Sequence, residues 1–152
     1  MEYSHSDAEL VRQPIGYWSW AAYKAVVTYI RAGLAEFDLS QPQWWVLNQV
    51  IEGGEDGRPR EEVRAVLEGY LDVGDALEPE IDALLGRGLL TSDDSERLRL
   101  TDEGRALRER AAERQLRMRE RIHDGIPDDA YVAALKVLQR MIHNTDGQAW
   151  HH

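Results

Sequence analysis

Residues 84 to 104, LLGRGLLTSDDSERLRLTDEG, hold a helix end, a polar hairpin and the start of a second helix. Leu84 and Leu85 close an apolar helical pattern, and Gly88 supplies the break expected just past a helix C-terminus. Leu89-Leu90 and Leu98-Arg99-Leu100 flank a polar turn, which is the signature of a β-hairpin. Thr101, followed by Asp102 and Glu103, then has the composition of a capped helix start. Few folds turn from helix to hairpin to helix this tightly. The charge around the stretch constrains it further. From Glu68 to Glu96 there are nine acids (Glu68, Asp72, Asp75, Glu78, Glu80, Asp82, Asp93, Asp94, Glu96) and one base, Arg87, a net charge of −8.

The chain has 152 residues, 43% of them hydrophobic, which suits one domain with one ordinary core. It contains no cysteine, so disulfides, thiolate zinc sites and cysteine nucleophiles are excluded together. No apolar run approaches the roughly 18 residues that a membrane span needs. The acidic start, Met1 to Asp7, is unlike a signal peptide, so a cytoplasmic protein is expected. Net charge is −10, distributed unevenly: −5 over residues 1–57, +1 over 58–67, −8 over 68–96, +4 over 97–121 and −2 beyond. Positive charge is concentrated between Arg97 and Arg121.

Apolar periodicity divides the rest into helices. Ile15 to Phe37 carries Trp18, Ala22, Ala25 and Tyr29 on one stripe and Val26, Ile30, Leu34 and Phe37 on its neighbour, the pattern of a buried helix. Ser40 as cap with Pro42 just inside predicts a helix start, and Trp44, Leu47 and Ile51 then share a face. Gly53 to Pro59 is a cluster of breakers, read as a loop. Val63, Val66, Leu67 and Tyr70 mark a short helix from about Arg60, and Val73, Leu77, Ile81, Leu84 and Leu85 the next. A long Arg-rich helix is expected from Thr101 to about Asp124, with Glu109 following Arg105, and Arg117 following Glu113, at the i,i+4 spacing of solvated ion pairs. A break at Gly125-Ile126-Pro127 precedes a last helix from Asp128 to about Ile142.

This order, and two motifs within it, resemble the MarR family of dimeric winged-helix regulators. Leu100, Thr101 and Gly104 match the family's L-T-x-x-G passage from wing to helix, and Leu39-Ser40 with Trp44, Val46 and Leu47 resembles its second helix. The resemblance implies a mainly α fold: a winged helix-turn-helix lobe over 39–100 with a β-hairpin wing, and a helical dimerisation lobe from 12–38 and 101–147. It also implies that the helix ending at Leu85 lies in the DNA major groove. That helix has Asp75, Glu78 and Asp82 on one face, opposite Leu77, Ile81 and Leu84, which repels a polyanion. The places where the family carries small polar or basic side chains hold Ala76, Glu78 and Pro79. Pro79 lacks an N–H, so it predicts a late start or a kink in this helix. The wing is short, ten residues from Thr91 to Leu100. The candidate DNA contacts are Arg97 and Arg99 on the wing with Arg87 and Glu78 on the helix; alternatively Arg97 and Arg99 pair with Asp93, Asp94 and Glu96 across the hairpin.

Four of the five Trp lie between residues 18 and 45. Such aromatics suit a dimer interface. Tyr17, Trp20 and Trp45 nonetheless fall off the main stripes, and Trp45 shares a side with Asn48 and Gln49. The resemblance implies an aromatic small-molecule effector bound near the dimer lobe, with Tyr17, Trp18, Trp20, Tyr23, Trp45 and Asn48 as the candidate lining. No phosphate-loop, dinucleotide, zinc-protease or serine-hydrolase motif is present, so neither catalysis nor a cofactor is expected. His123-Asp124 and the pair His143 and Asp146 read as helix-end histidines rather than metal sites. Two functions stand open: a ligand-responsive transcriptional regulator, or a MarR-like homodimer that has lost DNA binding and serves as a small-molecule binder, an interaction module or an enzyme.

Overall fold

The computed structural model describes residues 2–68 and 76–149; Tyr70, Asp72, Val73 and Asp75, named above, lie outside the described residues. The order is α1 (Asp7–Leu10), α2 (Ile15–Ala35), α3 (Gln41–Glu52), a 3-10 turn (Gly54–Asp56), β1 (Arg58–Pro59), α4 (Arg60–Glu68), α5 (Leu77–Gly86), β2 (Leu90–Ser92), β3 (Arg97–Leu100), α6 (Asp102–His123) and α7 (Asp128–Asn144). The short α1 is capped by Glu9, whose carboxylate accepts from the Ser6 N–H and hydroxyl. The protein is mainly α, with one small antiparallel sheet of order β1-β3-β2.

The expected loop at 53–59 therefore contains a strand. Arg58 pairs with Leu98 and Pro59 with Arg97. A proline cannot donate to a ladder, but β1 is a sheet edge, where one N–H is dispensable. Within the hairpin, Leu90 faces Leu100 and Ser92 faces Leu98. Period-two alternation turns Leu98 and Leu100 into the core and leaves Arg97 and Arg99 half-exposed.

The core lies under this sheet. Val46, Leu47 and Val50 of α3, Val63 and Leu67 of α4, Leu77, Ile81 and Leu84 of α5, and Leu98 of β3 are all buried. Each such side chain contributes about 1.5–3 kcal/mol on leaving water. Ser40 caps α3, its Oγ accepting from the Gln43 N–H at 3.2 Å. Pro79 falls in the first turn of α5, where its missing N–H has no helical partner to lose, so α5 begins at Leu77 without a break at the proline.

The motif at the hairpin exit has a steric cause. Thr101 caps α6: its Oγ1 accepts from the Gly104 N–H at 2.9 Å and donates to the Gly88 carbonyl at 2.7 Å. A Cβ at Gly104 would stand 2.0 Å from the Leu89 carbonyl oxygen. Gly88 itself has φ +69°, the left-handed residue that closes α5, with the Leu89 N–H reaching back to the Leu84 carbonyl.

Two expectations about the long helices need correction. Only the C-terminal end of α2 is buried, at Gly33 and Leu34; Ile15, Tyr17, Trp18, Trp20 and Tyr23 are exposed. Within one chain only that end of α2 is packed tightly against α6, Gly33 lying where a Cβ would stand 2.3 Å from the Met118 sulfur. On α6 the i,i+4 ion pairs do not close among the described residues. Instead Arg114 reaches across to Glu36 of α2 at 2.7 Å. Hydrogen bonding from Arg114 holds the Glu36 carboxyl below the usual carboxylate range. No helix is long and apolar enough to cross a membrane among the described residues.

Candidate functional site

Helix α5 and the hairpin present one surface. On α5 the residues turned to solvent are Pro79, Asp82, Ala83 and Gly86, a narrow stripe of small side chains bearing one acid. Glu78 and Asp82 do not stand alone. The Arg60 Nε donates to the Glu78 carboxylate at 2.8 Å and its Nη2 to Asp82 at 2.7 Å. Burial works against the Arg60 charge, but the hydrogen bonds it donates to Asp82 and Glu78 outweigh it and raise its pKa. Glu80 accepts from the Gln43 side-chain amide at 2.7 Å. All three carboxylates of α5 are thus engaged within the chain, although the Asp82 side chain remains 64% exposed.

Arg87 spends its guanidinium on the α2–α3 loop, donating to the Asp38 carbonyl at 2.6 Å and the Phe37 carbonyl at 3.4 Å. In the hairpin, Arg97 donates to the Gly57 carbonyl at 3.2 Å, and Arg99 pairs with Asp93 at 2.7 Å. The Asp93 carboxylate also accepts from the Ser95 and Arg97 N–H groups at 2.9 and 3.0 Å, which shapes the turn. The hydrogen bond from Arg99, then those from the backbone, lower its pKa. Of the four candidate DNA contacts, Arg97 and Arg99 lie together on β3, while Glu78 and Arg87 sit at opposite ends of α5.

A cavity of about 620 Å³ opens beneath this lobe, between α2, α3, α6 and α7. Its apolar wall includes Val26 and Ile30 of α2, Trp44 of α3, and Met118 and Ile122 of α6. Its polar groups are Arg108, Gln115, Arg119 and His123 of α6 with Tyr131 of α7, and among the described residues no carboxylate lines it. The Arg108 guanidinium lies 5.7 Å from the Trp44 ring centre, and its Nε and Nη2 donate to Asn48 Oδ1 at 3.1 and 2.9 Å. His123 packs against Tyr131 with ring centres 4.5 Å apart and the rings tilted by 46°. Among the described residues, Gln115 Nε2 is a buried side-chain donor with no hydrogen-bond partner. A concave apolar site with a few convergent donors, unopposed by acid, suits an apolar or aromatic molecule bearing an anionic or strongly accepting group.

None of the six residues expected to line an effector pocket lines this cavity. Tyr17, Trp18, Trp20 and Tyr23 are exposed on the N-terminal half of α2, where Tyr17 packs on Trp18 and Trp20 at 5.5 and 6.2 Å and Lys24 lies 5.2 Å over Trp20. Trp45 is half-buried against the core. Asn48 does not line the cavity but accepts from Arg108, which does. The residue that sequence reading passed over is Trp44, whose place beside Leu47 and Ile51 on an apolar stripe marked it as core.

No family model matches the chain, and no curated protein matches it by sequence. Solved structures do. The PcaV transcriptional regulator from Streptomyces coelicolor is 25% identical, with 90% of this chain and 100% of that one covered at a TM-score of 0.72. CouR from Rhodococcus jostii RHA1, bound to p-coumaroyl-CoA, is 25% identical over 85% of this chain and 91% of that one at a TM-score of 0.67. A Mycobacterium tuberculosis MarR family protein in complex with DNA aligns over 85% of this chain and 98% of that one at a TM-score of 0.64, with 19% identity.

Proposed function

The chain has a MarR-like winged-helix fold, and on that premise we propose that it is a homodimeric transcriptional regulator whose DNA affinity is set by an anionic aromatic effector in the cavity between α2, α3, α6 and α7. The observation that carries this reading is the cavity itself. Its volume of about 620 Å³ lies within the range of small-molecule sites, and its donors, Arg108, Arg119 and the unpartnered Gln115 amide, all favour a ligand that accepts. The ligand-bound CouR structure and the DNA complex of the mycobacterial protein support both halves of the reading by likeness of fold.

The dimer follows from unsatisfied apolar surface. Helix α7 has no buried residue, and Val132, Leu135, Val137 and Met141 are exposed along it. With Tyr17, Trp18, Trp20 and Tyr23 of α2 this makes eight large apolar side chains exposed on two helices, more than isolated surface residues explain. A second copy buries it, making residues 12–38 and 101–147 the dimerisation lobe and 39–100 the DNA-reading lobe. On DNA, α5 enters the major groove on its Pro79-Ala83-Gly86 face, and Arg97 and Arg99 approach the flanking backbone.

A second reading, a small-molecule binder without DNA affinity, is favoured by one observation: Asp93 already holds Arg99, and Asp94 and Glu96 stand exposed beside it. Fluorescence anisotropy with a labelled duplex from upstream of the protein's own gene, at two salt concentrations, separates the two. Specific binding that weakens steeply with salt supports the regulator, and no binding at low salt overturns it. For the cavity, Trp fluorescence titrated with aromatic acids is expected to quench in the wild type and to need at least tenfold more ligand in Arg108→Ala. Flat titrations would refute the effector site.

A further inference from the structure

Helix α3 touches both halves of the proposed device. Trp44 and Asn48 lie one turn apart on it and share the Arg108 guanidinium at the cavity. Gln43, next to Trp44, points the other way. It is a buried polar side chain, only 8% exposed. Its Nε2 donates to Glu80 in the first turn of α5 at 2.7 Å. Its Oε1 accepts from the Ser40 N–H at 3.2 Å and from Arg87, just past the C-terminal end of α5, at 3.5 Å. One amide therefore grips α5 near both ends, while the adjoining residue forms the cavity wall.

From this arrangement we propose that Gln43 is the positioning residue that couples the state of the cavity to the seat of α5. An anion in the cavity competes for Arg108 and takes the donors that Asn48 now accepts. Released from α6, α3 shifts. A buried amide has no water to replace Glu80 and Arg87, so α5 follows α3 instead of breaking the contact. Apart from Gln43, the buried residues of α3 (Val46, Leu47, Val50) and of α5 (Leu77, Ile81, Leu84) are apolar members of the common core, and apolar contacts can slide. The inference rests on the regulator reading for its consequence on DNA, but not for its mechanics.

The test needs no ligand. Arg108→Met releases Asn48 as an anion would, and amide hydrogen exchange of residues 77–86 in the intact chain reports the seat of α5. We expect Arg108→Met to speed that exchange at least fivefold with Gln43 present and less than twofold in a Gln43→Met background, which keeps side-chain volume. The swap Gln43→Glu with Glu80→Gln re-forms the hydrogen bond with donor and acceptor exchanged, and restores the response. An equal response with and without Gln43, or no rescue by the swap in protein that folds with native circular dichroism, overturns the proposal. DNA anisotropy on the same variants keeps the two claims distinct: wild-type protein that fails to bind DNA sinks the regulator reading, while the exchange data still judge the coupling.

Discussion

Replacing Gly104 by alanine sets two general effects against each other. Gly104 lies in the first turn of α6, where intrinsic preference alone predicts that Ala stabilises the helix by up to about 1 kcal/mol. The added Cβ, however, would stand 2.0 Å from the Leu89 oxygen and 2.9 Å from its carbon, so backbone would have to retreat by about 1.4 Å to reach ordinary contact. Overpacking of this kind costs about 1–3 kcal/mol. The Leu89 carbonyl cannot retreat freely, because it accepts from the Thr101 N–H at 3.2 Å and Oγ1 at 3.3 Å. Losing either bond adds about 1 kcal/mol. The net expectation for Gly104→Ala is a loss of about 2 kcal/mol, or about 4–8 °C in Tm for a chain of this size. Urea unfolding followed by Trp fluorescence, at one fixed protein concentration so that any self-association contributes equally, measures the difference. Unchanged or increased stability would refute the steric account of the L-T-x-x-G passage and leave helix propensity as the stronger term.

Arg60→Met leaves Glu78 and Asp82 facing each other without their shared cation; we expect stability to fall by about 1 kcal/mol, with the deficit shrinking as salt rises. Asp93 has a lowered pKa, so its contribution is fully present above the usual carboxylate range and is lost as pH falls through its folded value. The wing turn should therefore loosen only in acid below the usual carboxylate range, seen as shifts of the Ser95 and Arg97 amide resonances; amides indifferent to acid would contradict this. Leu135→Glu places a charge on the exposed apolar face of α7, and sedimentation should show self-association weakened at least tenfold, against no change if α7 lies outside the dimer interface.

The helices were legible because each carries its own period. Leu77, Ile81 and Leu84 announce the buried face of α5, and Ser40 with Pro42 announces the start of α3, without reference to anything distant. What was not legible depends on pairing between segments. Strand β1 hides at the end of a breaker cluster, after Gly53, Gly54 and Gly57 and at Pro59 itself, and only its register against β3 makes it a strand. The acidity of α5 was read correctly as composition, but its neutralisation comes from Arg60, 18 residues before Glu78. That this cavity is walled by Trp44 was not legible for the same reason. Trp44 and Trp45 are equivalent in composition, and which of them faces open space is decided by where Arg108 of α6 crosses α3, 60 residues after Asn48. His123, read as a helix-end charge, becomes a cavity residue only because α7 folds back to bring Tyr131 against it.

The proline that ends β1 has a consequence for the protein at high concentration. In the order β1-β3-β2, the central β3 has both of its ladders filled, and the outer edges belong to strands of two and three residues. Pro59 removes a donor from one edge, and the other is β2, bounded by Asp93 and Asp94. An incoming chain finds too short and too broken a row of amides to extend the sheet. Molecules of this protein can crowd side by side without polymerising through their wings.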